Sequence, residues 1–383
     1  MSRDTPKNLA LHFGWVSLFQ DLGSKMVVPI VPLYLTLGLG ASPLVVGAVD
    51  GLAAATVALV APIAGRLSTP ARAPNLVRLG YGLSSIAKVA LVIATSWIAV
   101  LAVRVFDRAG KGVRDAPRDL ILAASRPDKT ASAFGLQQAM DKLGGAIGPL
   151  VGLVIYEAFD GSFDAVFFVA FIPCLLSVGL LLRPLPTPGA VADAPRSASM
   201  SSVQRRRIAL LAIGAAGTVP VALLIVRALE QGAGVATVLL AFALLRFATA
   251  VFAVPGGRLA DRIGAQRAIV VGQLILAVAL LAALIVPDEA ALWAVLPLVG
   301  TSDALLRGPV KVWMIEGGPA ASRGTVLGAW TGANAVAGLI AGVGVGVLWG
   351  DDGTVPIVVS AAIVITVVVA IAGGVGGRTE HAL

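Results

Sequence analysis

The chain has 383 residues, of which 57% are hydrophobic and only 13% are charged. A water-soluble domain carries about twice that share of charge, so a soluble globular protein is excluded and residence in a bilayer is implied. The net charge of +8 is spread over the connections between apolar runs, which argues against nucleic-acid binding.

A membrane helix needs about 20 mostly apolar residues. By that rule the sequence predicts twelve spans: residues 13–37, 43–64, 76–96, 98–122, 133–159, 163–182, 208–229, 235–255, 268–286, 290–314, 325–348 and 355–375. The first contains Asp21 and Lys25, so it does not read as a cleavable signal peptide. The fourth is heavily charged in its second half. Gly is abundant, at 44 residues, as expected where bilayer helices pack closely.

Basic residues gather in alternate connections: Arg66, Arg72 and Arg78; Arg126 and Lys129; Arg183, Arg196, Arg205, Arg206 and Arg207; Arg258, Arg262 and Arg267; Arg323. The connections between them are acidic or uncharged, with Glu157, Asp160, Asp164, Glu230, Asp288, Glu289, Asp351 and Asp352. This alternation puts the basic loops and both termini in the cytoplasm of a bacterial-type plasma membrane. The stretch 183–207, rich in Pro, Ala and Ser, reads as a polar cytoplasmic linker between six-span halves at 1–182 and 208–383. The halves repeat weakly. Gly65-Arg66-Leu67 and Gly257-Arg258-Leu259 stand 192 positions apart, Asp107 and Asp303 196, and Gly135 and Gly328 193. Such internal repeats are a feature of secondary transporters.

Cys174 is the single cysteine, and His12 and His381 lie near the ends, so no intramolecular disulfide, His-based metal site or buried His relay is expected. No Gly-x-x-x-x-Gly-Lys-Ser/Thr loop is present, so no nucleotide or other cofactor is expected and an ion or solute gradient would supply the energy. No nucleophile, base and metal ligands cluster as an enzyme would need.

Three stretches stand out. The first runs from Gly257 to Arg267 and contains Arg258, Asp261, Arg262 and Gly264, with glycines suited to a tight turn and charges able to pair and cap helix ends. Its first-half copy departs from the pattern, with Thr69 where an acid is expected. The second is Gly144-Gly145-Ala146-Ile147-Gly148-Pro149-Leu150-Val151-Gly152, in which glycines permit close helix contact and Pro149 frees a backbone carbonyl; ordinary small-residue packing explains it equally well. The third is the stripe Arg104, Asp107, Arg108, Lys111, Arg114 and Arg118, recurring every three or four residues on one helical face. Asp303, Arg307 and Lys311 form a shorter counterpart on the tenth span.

Together these stretches resemble the major facilitator superfamily: the loop signature after the eighth span, the helix-five Gly-Pro motif associated with antiporters, and the helix-four Arg motif in an unusually charged version. That version, with Phe134-Gly135-Leu136 and Met140-Asp141, is similar to a group of poorly characterised bacterial members. The resemblance covers nearly the whole chain. It implies an all-α membrane protein with two pseudo-symmetric six-helix bundles and alternating access to a central cavity walled by spans one, four, seven and ten.

Charge at bilayer depth is costly, so Arg104, Asp107, Arg108, Lys111, Asp303, Arg307 and Lys311 are expected to face a solute cavity. They hold five bases against two acids, a surplus of three, which favours an anionic solute. Asp21, Asp50, Asp107 and Asp141 are the carboxylates able to couple protons. The bland readings are intrahelical pairing of Asp21 with Lys25 and of Asp107 with Lys111, and a solvated helix end for Arg114 to Asp119; Asp50, Lys88, Asp141 and Arg246 stand isolated in their own spans, each readable as a member of an interhelical pair or as a coupling or substrate group. The expected function is proton-linked export of a small organic solute by a monomer. Uptake by a symporter or facilitator is the alternative, and a receptor or scaffold the reading from another class.

Overall fold

The computed structural model describes residues 5–69, 71–125, 130–185, 199–286, 290–316, 318 and 322–375. Arg126, Lys129, Arg196, Asp288, Glu289 and both chain ends, all used in the topology reading, lie outside the described residues, as do the side chains of Phe134 and Arg323. Regular structure among the described residues is helical: α1 (Thr5–Leu33, continued by a π-turn Tyr34–Gly38), α2 (Pro43–Leu67), α3 (Ala73–Val92), α4 (Trp97–Ser125), α5 (Thr130–Ala158), α6 (Phe163–Leu181), α7 (Ser202–Ala216), α8 (Val221–Glu230), α9 (Val235–Ile263), α10 (Ala265–Ile285), α11 (Ala290–Ile315), α12 (Arg323–Val347) and α13 (Thr354–Ala372). Among the described residues nine spans are long and apolar enough to cross a membrane, with α7 and α8 together making one. The more polar α1, α3 and α4 complete the twelve.

Three features differ from the sequence reading for identifiable reasons. The seventh span is broken at Gly217-Thr218-Val219-Pro220. Pro220 caps α8 with an extended backbone (φ −60°, ψ 142°), because its ring clashes with the carbonyl four residues back and it has no N–H to give. The span also starts early. Ser201 and Gln204 form a reciprocal capping box that opens α7 at Ser202, so Arg205, Arg206 and Arg207 are helical. Conversely, α9 runs past Pro255 to Ile263.

The chain forms two compact units, Met1–Ala41 with Leu52–Ala194, and Ser42–Gly51 with Pro195–Leu383. In the first, α1 packs on α5 and α6, and α3 on α4 and α6. In the second, α7 packs on α12 and α13, and α10 on α11 and α13. The same four pairings of spans therefore recur in both units.

Glycine sets the closest of these approaches. A Cβ on Gly144 would stand 2.3 Å from the Leu18 carbonyl oxygen, and one on Gly148 2.7 Å from that of Leu22. Gly152 continues the seam against Met26. Spaced four residues apart, these glycines lay one face of α5 directly on the backbone of α1. Gln137 donates to Ser17 Oγ across the same seam at 2.8 Å. Behind α1, Ser177 on α6 donates to Gln20 Oε1 at 2.8 Å, and Cys174 is wholly buried one turn away.

Arginines tie down helix ends. Arg78 donates to the Leu181 carbonyl at 2.9 Å, closing α3 onto the end of α6. Arg227 donates to the Asp352 carbonyl at 2.8 Å. Asp352 also receives hydrogen bonds from the Thr354 hydroxyl and N–H, which hold its carboxyl below the usual carboxylate range.

Gly144→Ala should lower the unfolding midpoint in detergent, because overpacking against fixed backbone costs about 1–3 kcal/mol. Gly344→Ala, whose Cβ would meet nothing within 4 Å, should leave the midpoint unchanged or raise it slightly. Equal effects at the two positions would show that the α1–α5 seam is not backbone-limited.

Candidate functional site

The charged stripe of α4 divides into a sealed part and an open part. Asp107 is 8% exposed and receives Lys88 Nζ of α3 at 2.7 Å. Arg104 Nη1 stands 3.8 Å from its other oxygen. Asp107 is thus partnered across helices by Lys88, in place of the expected Lys111, and Lys88 is not isolated. The helices can meet this closely because Gly80 and Gly110 face each other, a Cβ on Gly110 falling 2.8 Å from the Gly80 carbonyl oxygen. Ser84 adds a bond to the Asp107 carbonyl at 3.1 Å.

Arg114 and Arg118 are not on a solvated helix end. Arg114 is 6% exposed, with its guanidinium 4.4 Å from the centre of the Tyr81 ring. Arg118 binds the carboxylate of Asp119 at 2.8 Å. Arg108 and Lys111 remain half-buried. Asp141 on α5 is no lone charge either. It lies in the electrostatic field of Asp21 and Lys25 on α1 and of Lys111 and Arg118 on α4. The glycine seam produces this neighbourhood, since a Cβ on Gly148 would stand 2.8 Å from Lys25 Cβ. Gly144, Gly148 and Gly152 therefore pack α5 against α1, the small-residue role, and by doing so gather the first unit's second charged cluster.

The second unit holds a cavity of about 560 Å³ walled by α7, α10, α11 and α12. Asp303, Arg307 and Lys311 all line it, one turn apart on α11. Arg307 grips Asp303 with two donors, the shorter at 2.7 Å, so this intrahelical pair neutralises itself. Among the described residues no carboxylate stands within ion-pair distance of Lys311. Trp330, Leu276 and Val310 supply apolar wall, and Thr218 in the break between α7 and α8 reaches the lining. Gln273, also in the lining, is only 7% exposed, and its Oε1 has no hydrogen-bond partner. A buried acceptor left in that state costs about 1–3 kcal/mol.

A family model described as Major Facilitator Superfamily matches residues 13–342. The chain belongs to the major facilitator superfamily. An uncharacterized MFS-type transporter of Methanocaldococcus jannaschii is 26% identical over 358 residues, covering 91% of this chain and 89% of the relative. An uncharacterized protein of Mycobacterium tuberculosis is 28% identical over 191 residues, 48% of this chain and 46% of the relative. Among solved structures, the nucleoside transporter NupG superposes with a TM-score of 0.76 at 11% identity, over 96% of this chain and 98% of that one. A bacterial homolog of the human lysosomal transporter Spinster, in an inward-facing and occupied conformation, gives 0.76 at 16% identity over 97% and 96%. These likenesses show the fold. Family membership makes the chain a multi-pass secondary transporter, not an enzyme.

Within this transporter, the loop signature sits differently from its expected place after a finished helix. Gly257, Arg258, Asp261 and Arg262 lie in the last turns of α9, and the connection to α10 is the single residue Gly264, at φ 87°. Only glycine adopts that backbone without strain. Arg258, Asp261 and Arg262 are exposed, and among the described residues no ion pair joins them. Asp50 is half-buried on α2 and Arg246 half-buried on α9; neither lines the cavity of the second unit. Sequence reasoning missed Tyr81 and Gln273, and it singled out Lys88 without naming Asp107 as its partner. It also placed Arg207 in a solvated linker, whereas Arg207 is 1% exposed, lies over the Trp313 ring and donates to the Glu316 carbonyl at 2.9 Å.

Removing one partner of a buried ion pair costs about 3–5 kcal/mol. Lys88→Met should therefore destabilise the transporter by about that amount in reversible unfolding from mixed micelles, and the double change Lys88→Met with Asp107→Leu should recover most of the loss. Strictly additive single effects would show that the two charges do not depend on each other.

Proposed function

We propose that this transporter exports a small organic anion in exchange for protons, by alternating access, with both termini and the basic loops on the cytoplasmic side. The cavity of the second unit carries the reading. Arg307 and Lys311 against Asp303 leave its wall with one surplus positive charge. Both cations are exposed, so they are accessible to a solute, and a surplus positive charge in the wall favours an anion. Lys311 is the contact for the negative group, while Asp303 limits how much of the Arg307 fork is available.

In thermal-shift measurements on purified protein, small carboxylates and phosphate should raise the midpoint of the wild type. Lys311→Gln should lose that effect. Asp303→Asn should strengthen it several-fold, by releasing Arg307 to the ligand. If tetraphenylphosphonium stabilises every variant equally and the anions do nothing, the anion reading fails.

Proton coupling is assigned to Asp21 and Asp141. With Lys25 and Lys111, and with Arg118 already held by Asp119, they make a charged cluster in the first unit. A proton entering it changes the charge by one unit where an unbalanced charge costs several kcal/mol, so proton binding must be matched by re-pairing of the cluster. The Gly-Pro motif supports the exchange reading, because its glycines are the ones that seat α1 against α5 at this cluster. In everted vesicles, pH-driven solute accumulation should fall at least tenfold in Asp21→Asn and Asp141→Asn, while solute counterflow survives. Unchanged pH dependence in both variants would remove these carboxylates from the coupling path, and accumulation driven by the opposite gradient would make the protein an uptake symporter.

A further inference from the structure

We infer that the cavity of the second unit selects planar aromatic acids that carry an amide-type edge opposite the acid group, with Trp330 as the stacking surface and Asn334 as the residue that reads the edge. The inference rests on the anionic-solute reading of Lys311 and adds the rest of the ligand.

Three residues of α12 line the cavity: Trp330, Asn334 and Gly338. Spaced four apart, they form one face of the helix. Trp330 is half-buried and packs against the apolar cluster that holds Leu211, Val310 and Met314. The ring is therefore seated from behind, and the part left open belongs to the cavity. Asn334 is exposed, and among the described residues nothing hydrogen-bonds to its side chain. Both halves of its amide, donor and acceptor side by side, are available to a solute. Gly338 adds no side chain, and a Cβ there would meet nothing within 4 Å, so the face stays open beyond the amide.

The charges of α11 fix how such a solute lies. That helix ends at Ile315 and α12 begins at Arg323, so a short link makes the two antiparallel neighbours. Trp330 and Val310 belong to one cluster, which puts Lys311 close to the level of the ring. One turn further along α12, Asn334 comes level with Arg307, about 6 Å from Lys311 along the axis. A six-membered ring with groups on opposite edges spans that distance. Its acid group meets the Lys311 ammonium, its face lies on Trp330, and its far edge reaches Asn334. An N–H beside a C=O on that edge can exchange two hydrogen bonds with the carboxamide. The Asp303–Arg307 pair flanks the same end and keeps it polar. An aliphatic acid forgoes the ring contact, and a compact inorganic anion fills only the Lys311 end.

The test is calorimetric binding of three acids to purified full-length protein: 6-hydroxynicotinate, whose lactam edge lies opposite the carboxylate, benzoate, and cyclohexanecarboxylate. Wild type should bind benzoate about two- to tenfold more tightly than cyclohexanecarboxylate, the worth of one aromatic pair. It should bind 6-hydroxynicotinate about tenfold more tightly than benzoate, the worth of two net hydrogen bonds. Trp330→Leu should erase the first preference and Trp330→Phe should keep it; Trp330→Met replaces the leucine variant should that not fold. Asn334→Leu should erase the second preference and melt at the wild-type temperature, while Asn334→Gln retains part of it. Lys311→Gln should weaken all three acids alike. If the acids bind through Lys311 but wild type lacks either preference, the inference is overturned while the anion reading stands. The same holds if the preferences survive Trp330→Leu and Asn334→Leu, since other residues then read the ring. If no acid binds, or binding ignores Lys311, the anion reading fails and takes this inference with it.

Discussion

The Lys88–Asp107 contact is what allows α4 to carry a row of charges at bilayer depth. A lone carboxylate or ammonium there costs several kcal/mol, and the two together, 2.7 Å apart and almost fully buried, cancel most of that cost only if the helices touch. They touch because Gly80 and Gly110 remove the side chains that would hold them apart. Once α3 and α4 are clamped, Tyr81 falls under Arg114 and Arg104 is held within reach of Asp107. Arg108 and Lys111 are left half-buried, with Arg108 still in the field of the Asp107 carboxylate.

Comparison of the two units sharpens the point. Gly80 on α3 and Gly272 on α10 occupy matching places, 192 positions apart, and each brings its helix against the fourth span of its unit. In the first unit the carboxylate at this seam is consumed by a lysine from the neighbouring helix. The second unit has no such lysine on α10, and Asp303 turns to Arg307 on its own helix, beside open space. One half is thus stiffened by buried charge, and in the other the corresponding charges border a cavity.

The spans, the repeat and the family were legible in the sequence because each depends on local apolarity or on short motifs. The break in the seventh span had its signal in Gly217 and Pro220, but an unbroken apolar run masks a kink when hydropathy alone is read. The partners of Lys88, Asp107, Asp141 and Arg207 were not legible. Each pairing joins residues from different helices, and a stripe on one helix does not say which residues from its neighbours will meet it. Arg207 shows the limit most clearly. As the last of three arginines it reads as surface, yet it alone of the three points inward, because the capping box at Ser201 sets the rotation of α7. Gln273 carried no sequence signal at all; an unmatched acceptor exists only relative to the surroundings that fail to match it.

Cys174 is the only thiol in the chain and is wholly enclosed between α6 and α1, where a Cβ on Gly23 would stand 2.6 Å from its sulfur. Nature has therefore supplied a scaffold that is almost silent to thiol-reactive spectroscopic labels. Spin or fluorescent probes attached through cysteines introduced at exposed helix ends would report from known positions without first emptying the background. The distances between such pairs would then follow the working cycle in a chain whose own sulfur chemistry has been left untouched.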